Sequence, residues 1–393
     1  MLKTTRLVRN TSVDRLVKLW AERYVPDLST LSSKEDHFNV SDLVEASSPE
    51  GRALTVAKLN DFIIEIKCQI ATLKTNALYA YIPNILDLAE AKHLAHFALL
   101  VYQKLIEVYQ GSLHSTAALR VIRMQAAVDS LRGSQTSWEM PAIEELATVL
   151  EPVLLEFQAQ HIASKDWRTL GFITTLLNFA NKLLHSKLTI PEQVLIKPYF
   201  NFIEEQVALP WQRVCAAAAQ HQVSSPAFIL VEQMFPASRE IAQTVYRQLV
   251  QLLPNHRSRR GGLDHPGITH SCLRDLEMFQ AYLWLCVLEG SMAPVEDELV
   301  DLCVMVMTGV DVKWEMTQLW NQVLADELLA RVTPSQSKIL LPYIQGLQQA
   351  FLKERDRFQV TLQHPPVSSD LKSQNSFQNL RKFYFPPKNF VDR

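Results

Sequence analysis

Apolar side chains recur every three or four residues along most of the chain, which is the spacing that buries one face of an α-helix. Within the segment 54–75, this stripe consists of Leu59, Phe62, Ile63, Ile66 and Ile70. The same spacing predicts helices over 9–24, 54–75, 85–109, 115–131, 140–161, 166–185, 238–253, 270–289, 296–307, 312–331 and 335–357. The polar stretch 26–51 interrupts the pattern and is predicted to be a loop or linker. Together these elements predict an all-α fold.

Turn and cap residues divide the predicted helices into domains. Thr189, Pro191 and Glu192 combine a capping side chain, an early proline and a glutamate three residues after the cap, which is typical of a helix start. Asn84 is predicted to cap the helix that Gly111 ends. We therefore expect an N-terminal helix and linker, a helical bundle, a second helical domain and a C-terminal tail, at residues 1–51, 52–188, 189–357 and 358–393.

Composition narrows the class of protein. The chain has 393 residues, of which 48% are hydrophobic, so it can form the cores of two domains. The formal net charge of −2 provides no overall attraction to nucleic acid, and no apolar run is long enough to span a bilayer. The basic beginning of the chain is not followed by an apolar signal segment, so we expect a cytoplasmic protein.

Two residue groups were considered as metal or disulfide sites. The five cysteines are odd in number and contain no Cys-x-x-Cys pair, which favours neither a disulfide framework nor a zinc site. Glu90, His93 and His96 share one side of a predicted helix, and Glu-x-x-His occurs in di-metal carboxylate bundles. Such bundles need a second copy of the motif, which the following helices lack. We interpret the row as a polar helix face, with metal binding as the alternative.

The stretch 270–300 carries the most specific pattern in the sequence. Cys272, Asp275, Phe279 and Tyr282 fall on one stripe of a helix. A carboxylate on an otherwise apolar stripe needs a partner, because burying an unpaired charge is costly. Two interpretations follow from the spacing alone. Either the N–H groups of a bound ligand satisfy Asp275, or this side chain caps the helix start or pairs with a base such as Arg260.

This stretch resembles the chromophore-bearing helix of the phycobiliproteins, the globin-like light-harvesting subunits of phycobilisomes. In that family a Cys-x-Arg-Asp sequence opens the helix, and Cys272, Arg274 and Asp275 match it here. Further landmarks of the family are matched in the same order by Ala242–Tyr246, Gly290, Pro294, Glu296 and Asp297. The resemblance covers about residues 190–330 and implies a globin-like, phycobiliprotein-type fold for the second domain.

The resemblance also implies a cofactor, an open-chain tetrapyrrole (a bilin of the phycocyanobilin type). Cys272 would hold it by a thioether, Asp275 would accept hydrogen bonds from pyrrole N–H groups, and Arg274 would face a propionate. The loop before the thiol is rich in arginine, which pairs with carboxylates in bidentate geometry, although the loop also fits a solvated surface segment. The remaining predicted bilin contacts are Arg257, Arg260, His270 and Phe279.

Departures from the family pattern motivate a second interpretation. The residues that differ are Phe279, Ala281, Trp284 and Leu285. They suit a pigment-free helical protein that docks on phycobilisome subunits during assembly or regulation. In either interpretation the expected partners are phycobilisome subunits or a self-pairing globin-like domain, near the thylakoid surface, without nucleic acid or a membrane span.

The remaining features point to binding rather than catalysis. The tail 358–393 interleaves basic and aromatic residues and is expected to dock on an acidic protein surface. No catalytic motif stands out, so we expect no enzyme. A helper that acts on tetrapyrroles, such as a bilin lyase, is the third alternative.

Overall fold

Helix boundaries in this computed structural model follow prolines, left-handed glycines and side-chain caps. The structure describes residues 5–28, 40–80, 87–111, 119–123, 137–162, 168–310 and 312–363. Most of these residues are helical and only two short strand pairs occur among them, so the prediction of an all-α fold is confirmed. The predicted cap Asn84 and most of the predicted tail, residues 364–393, lie outside the described part of the chain.

The chain forms two compact units. The described residues up to Leu78 and from Asp87 to Ala219 form the first, and Tyr79, Ala80 and the described residues from Gln220 onwards form the second. The first unit contains nine α-helices and one two-stranded antiparallel sheet within the described residues. They are α1 (Thr11–Glu22), α2 (Val40–Ser47), α3 (Pro49–Lys58), α4 (Asp61–Leu78), α5 (Leu88–Gln110), β1 (Leu119–Arg123), β2 (Ser137–Pro141), α6 (Ile143–Ile162), α7 (Arg168–His185), α8 (Ile190–Ala208) and α9 (Trp211–Ala217).

A buried polar network joins three helices of the first unit. The Asn181 amide of α7 donates to the Glu204 carboxylate and to the Phe200 carbonyl of α8, both at 3.2 Å. The Tyr102 hydroxyl of α5 donates to Asn181 Oδ1 at 2.6 Å. These contacts tie α8 to α5 and α7, and α9 packs against α1, so α8 and α9 lie in the first unit. The sequence-based boundary at residue 189 had placed them in the second domain.

The second unit contains six α-helices, one short hairpin and one π-helical turn in the described residues. They are α10 (Pro226–Met234), α11 (Ser238–Leu252), a short hairpin of β3 (Arg257–Ser258) and β4 (Gly261–Gly262), α12 (Pro266–Glu289), a π-helical turn (Val295–Leu299), α13 (Val300–Val310), α14 (Trp314–Ala330) and α15 (Pro334–Gln363). Helix α12 packs against α10, α11 and α15. Every residue from Leu276 to Leu288 is buried, so α12 is the central helix of this unit.

The predicted linker 26–51 is wrong over its second half, where α2 and the start of α3 form. Ser48 accepts a hydrogen bond from the Gly51 backbone N–H at 3.0 Å, and Pro49 occupies the first turn. Leu43 is fully buried, and the buried Arg52 side chain donates to the Ser47 carbonyl. Local capping and burial therefore order a segment whose polar composition predicted a loop.

The helix predicted over 54–75 is two helices. Leu59 departs from helical angles, with φ −109° and ψ 43°. The Asn60 side chain then accepts a hydrogen bond from the Ile63 backbone N–H at 3.1 Å, so a new helix starts there. The cap allows the chain to change direction between α3 and α4.

The helix predicted over 115–131 is wrong where the structure describes it. Residues Leu119–Arg123 form strand β1, which pairs antiparallel with β2. Val and Ile in this segment favour extended backbone as readily as a helical core. The extended conformation forms here because β1 pairs with β2, which lies more than a dozen residues further along the sequence.

Candidate functional site

The candidate site begins at the turn between α11 and α12. The Tyr246 hydroxyl of α11 hydrogen-bonds to the Leu263 carbonyl and to the Thr269 hydroxyl, the latter at 3.0 Å. Within the hairpin, the Ser258 hydroxyl donates to the Gly261 carbonyl at 3.2 Å. Gly261 has a φ of +128°, which side chains with a Cβ rarely adopt. These contacts hold the arginine-rich hairpin at the start of α12.

Helix α12 starts six residues before Cys272, earlier than the resemblance to phycobiliproteins implied. His265 Nδ1 accepts a hydrogen bond from the Gly267 backbone N–H at 3.2 Å, and Pro266 occupies the first helical position. Cys272 therefore lies in the second turn and does not open the helix. His270 also lies within the helix, where it is exposed.

The Cys272 thiol is largely buried, with 9% of the residue exposed. Burial, together with the negative charge of Asp275, raises the pKa of the Cys272 thiol to about 12, against the opposing charges of Arg274 and Arg260. The thiol is therefore protonated at neutral pH. Because the thiolate is the reactive form, Cys272 needs local opening or an external base before it can react.

Asp275 is paired with its neighbour on the same helix. Arg274 donates to Asp275 Oδ1 from Nε at 3.1 Å and from Nη2 at 2.8 Å. The two side chains are 24% and 30% exposed. Ion pairs that remain in contact with solvent contribute little to stability, so a ligand can replace this partly exposed pair at low cost. Of the partners considered from the sequence, neither a helix cap nor Arg260 forms this bond.

The arginines of the loop occupy different positions. Arg257 is exposed on β3, whereas Arg260 is half-buried. A Cβ added at Gly267 would lie 3.7 Å from Arg260 Nη2, so the Arg260 guanidinium lies beside the first turn of α12. The structure thus brings Arg260, Arg274, Asp275 and Cys272 together at one end of this helix.

Phe279 lies two turns further along α12 and belongs to the core. It is 4% exposed. Its ring stacks on Phe351 of α15, with centroids 5.4 Å apart, and lies tilted against Trp320 of α14 at 5.9 Å. In this structure the side chains of the second unit fill the contact positions of Phe279.

Two residues near the site were not predicted as parts of it. Tyr246 fixes the loop, and its place in the Ala-Gln-x-Val-Tyr run was the signal for it. Burial, with the charge of Asp275, raises the pKa of Cys303 well above the usual thiol range, so Asp275 acts on both thiols. The sequence contains no signal for this contact, because Cys303 lies on α13 and Asp275 on α12, and only the fold brings the two helices together.

Glu90, which the sequence placed in a row with His93 and His96 as an alternative metal site, uses its carboxylate to cap helix α5. Glu90 accepts a hydrogen bond from the Asp87 backbone N–H at 2.9 Å and completes the capping box of α5. The His93 ring lies parallel to Phe157 at 6.2 Å. No group of three or more His, Cys, Asp or Glu side chains with metal-binding geometry occurs in the part of the chain that the structure describes.

Comparisons with known proteins identify no relative of this chain. No family model, curated protein or solved structure matches this chain. Among the helices in the described residues, none combines the length and the apolar character needed to cross a membrane.

Proposed function

We propose that this chain is a phycobilisome-related protein whose second unit is a globin-like, phycobiliprotein-type domain carrying a bilin on Cys272. Its role would be light harvesting, energy transfer or light sensing, without enzymatic activity, in the cytoplasm near the thylakoid surface. Its partners would be phycobilisome subunits or a second globin-like domain. The observation that carries the proposal is the grouping of a thiol, a carboxylate and two guanidinium groups at the first turns of α12.

Each group of this cluster has chemistry that suits a bilin. When bound, the pigment supplies the conjugated system that absorbs visible light. Asp275 can exchange its pair with Arg274 for pyrrole N–H donors, and the Arg274 guanidinium can then donate to a propionate. Arg260, and Arg257 on the exposed hairpin, can hold the second propionate. His270 is exposed one turn before Arg274, within reach of the same ligand.

The protonated state of Cys272 sets a condition on this proposal. A thiol with a pKa of about 12 has almost no thiolate at neutral pH. Attachment of a pigment at Cys272 therefore requires the first turns of α12 to open, or a partner that removes the proton. Spontaneous attachment to the folded protein should be slow.

The test is the visible spectrum of protein purified from a bilin-producing host, before and after denaturation in acid urea. A visible band that stays with the chain after denaturation supports a covalent bilin. Cys272→Ala should lose this band, whereas Cys303→Ala, which removes the other thiol near Asp275, should keep it. Covalent pigment that persists in Cys272→Ala would refute the assignment.

The packing of Phe279 favours a second candidate, a pigment-free protein that docks on phycobilisome subunits in assembly or regulation. The side chains of Phe351 and Trp320 cover Phe279, and Arg274 already satisfies Asp275. A bilin would have to displace part of this packing. Co-sedimentation of the colourless protein with purified phycobilisomes would support this function, and stoichiometric pigment in the native protein would argue against it.

A further inference from the structure

Helix α4 in the first unit is apolar on two opposite faces. Its inner face packs against α5 and α7 and includes the buried side chains Ile64, Cys68, Ala71, Thr72 and Thr75. On its outer face, Phe62 is 68% exposed and Leu73 is 67% exposed. An amphipathic helix with a single buried face would carry polar residues there. The outer face therefore calls for an explanation beyond the fold of this unit.

The outer apolar residues follow the spacing of a coiled-coil seam. They are Ile63, Ile66, Ile70, Leu73 and Ala77, which step by three, four, three and four residues. All five are exposed or partly exposed in this structure. We call these five residues the α4 seam. Such a seam buries its apolar surface when a second helix packs along it.

The charges beside the α4 seam are distributed unequally. Lys67 and Lys74 lie seven residues apart along one edge, at the positions that flank a coiled-coil seam. The opposite edge carries Phe62, Gln69 and Asn76, which are uncharged. The flanking positions of one edge are therefore basic and those of the other are neutral, with the Glu65 carboxylate that accepts from Gln69 at 3.2 Å lying beside that edge, further from the seam.

This distribution argues against a second copy of the chain as the partner. In an antiparallel pair, equivalent edges face each other, so Lys67 would lie against the second copy's Lys74. In a parallel pair, the lysines would face the neutral edge and gain no ion pair. Like charges at flanking positions oppose pairing, so the seam is better matched by a helix with acidic residues.

We propose that the α4 seam is a docking site for an acidic amphipathic helix of another protein. The partner helix would present Ile, Leu or Val at the same three-and-four spacing. Glu or Asp residues spaced seven apart along one flank would meet Lys67 and Lys74. This inference does not depend on the function proposed for the second unit, because it rests only on residues of α4.

Two designed helical peptides with identical apolar seams test the proposal, one with Glu and the other with Lys at the flanking positions. The full-length chain should bind the Glu peptide about tenfold more tightly, as measured by fluorescence anisotropy at low salt. Leu73→Ser should weaken binding by at least about tenfold, since it removes the most exposed large apolar side chain of the seam. Circular dichroism verifies that this variant keeps its helices.

A charge reversal provides the sharper test. The double variant Lys67→Glu/Lys74→Glu should prefer the Lys peptide, because only the sign of the flank changes. Equal binding of the two peptides, or an unchanged preference in the double variant, would overturn the proposal. So would a dimer of the wild-type chain that Leu73→Ser dissociates, or adsorption to anionic lipid vesicles without binding to either peptide.

Discussion

Helices α4 and α12 have similarly apolar sequences but different surroundings. From Leu276 to Leu288, α12 is buried on all sides by neighbouring helices of the second unit. Helix α4 is fully buried only on the face towards α5 and α7; on its other side Ile63, Ile66 and Ile70 are partly exposed, and Phe62 and Leu73 are exposed. The comparison shows that apolar spacing identifies a face that needs cover, but not which segment or molecule supplies it. A helix such as α4 becomes a candidate for binding, whereas a helix such as α12 organises a core.

The largest predicted contrast is between Trp284 on α12 and Phe62 on α4. Trp284→Ala should lower the free energy of unfolding by about 3–5 kcal/mol, because it leaves a large cavity in a fully buried site. Phe62→Ala should change it by no more than about 0.5 kcal/mol, since no cavity forms at an exposed position. Urea titrations followed by circular dichroism measure both values. Equal losses would mean that α4 is also covered within the chain.

Removing a buried polar side chain should lower the free energy of unfolding by less than Trp284→Ala does, but by more than removing a polar side chain at the surface. Asn181→Ala should cost about 2–3 kcal/mol, because it removes a hydrogen-bond partner from both Glu204 and Tyr102. The control is Gln69→Ala on the outer side of α4, where only an exposed hydrogen bond to Glu65 is lost. Urea titration should place the control near wild type. A similar loss in both variants would contradict the assigned network.

Glu192 links stability of the first unit to pH. Burial opposes its ionisation, but hydrogen bonds from Lys58 and Thr189 outweigh burial and lower the pKa of the Glu192 carboxyl. Because the folded pKa is the lower one, this stabilisation is complete above the unfolded value of about 4.3. It is lost as pH falls through the folded pKa. Glu192→Gln should cost about 1–2 kcal/mol at neutral pH and flatten the acid side of the stability profile; a profile parallel to wild type would refute this.

The smallest predicted effect is on the rate at which Cys272 is alkylated. Asp275→Asn should accelerate alkylation of Cys272 several-fold at mildly alkaline pH, because Asp275 helps to raise the pKa of the thiol and Arg274 opposes it. Mass spectrometry of the modified peptides identifies the site and separates it from Cys303. A slower or unchanged rate would show that Asp275 does not act on this thiol.

Interactions between neighbours in the sequence could be read before the structure was known. The predicted helix start with Thr189 and Glu192 is present, with the Glu192 carboxylate accepting from the Thr189 backbone N–H at 2.8 Å. Gly111 and Gly290 end their helices with positive φ. These signals work because a cap or a stop involves residues three or four positions apart, so the sequence contains both partners side by side.

The candidate site was only partly predictable from the sequence. Cys272, Arg274 and Asp275 are close in sequence, so their grouping on one helix was predictable. Their electrostatics were not, because burial of the thiol and the approach of Arg260 depend on a loop that Tyr246 of another helix holds in place. The same limit explains Phe279, whose environment is set by α14 and α15.

The sequence by itself determined that the chain is helical, where several of its helices start and stop, and which faces are apolar. The tertiary structure decided that α8 belongs to the first unit, that Leu119–Arg123 is a strand, and that α12 is buried while the α4 seam stays partly exposed. The physical reason is that period and capping are local properties of a segment. Burial depends on contacts between segments that are distant in the sequence, so the sequence of one helix does not show which residues will pack over its apolar face.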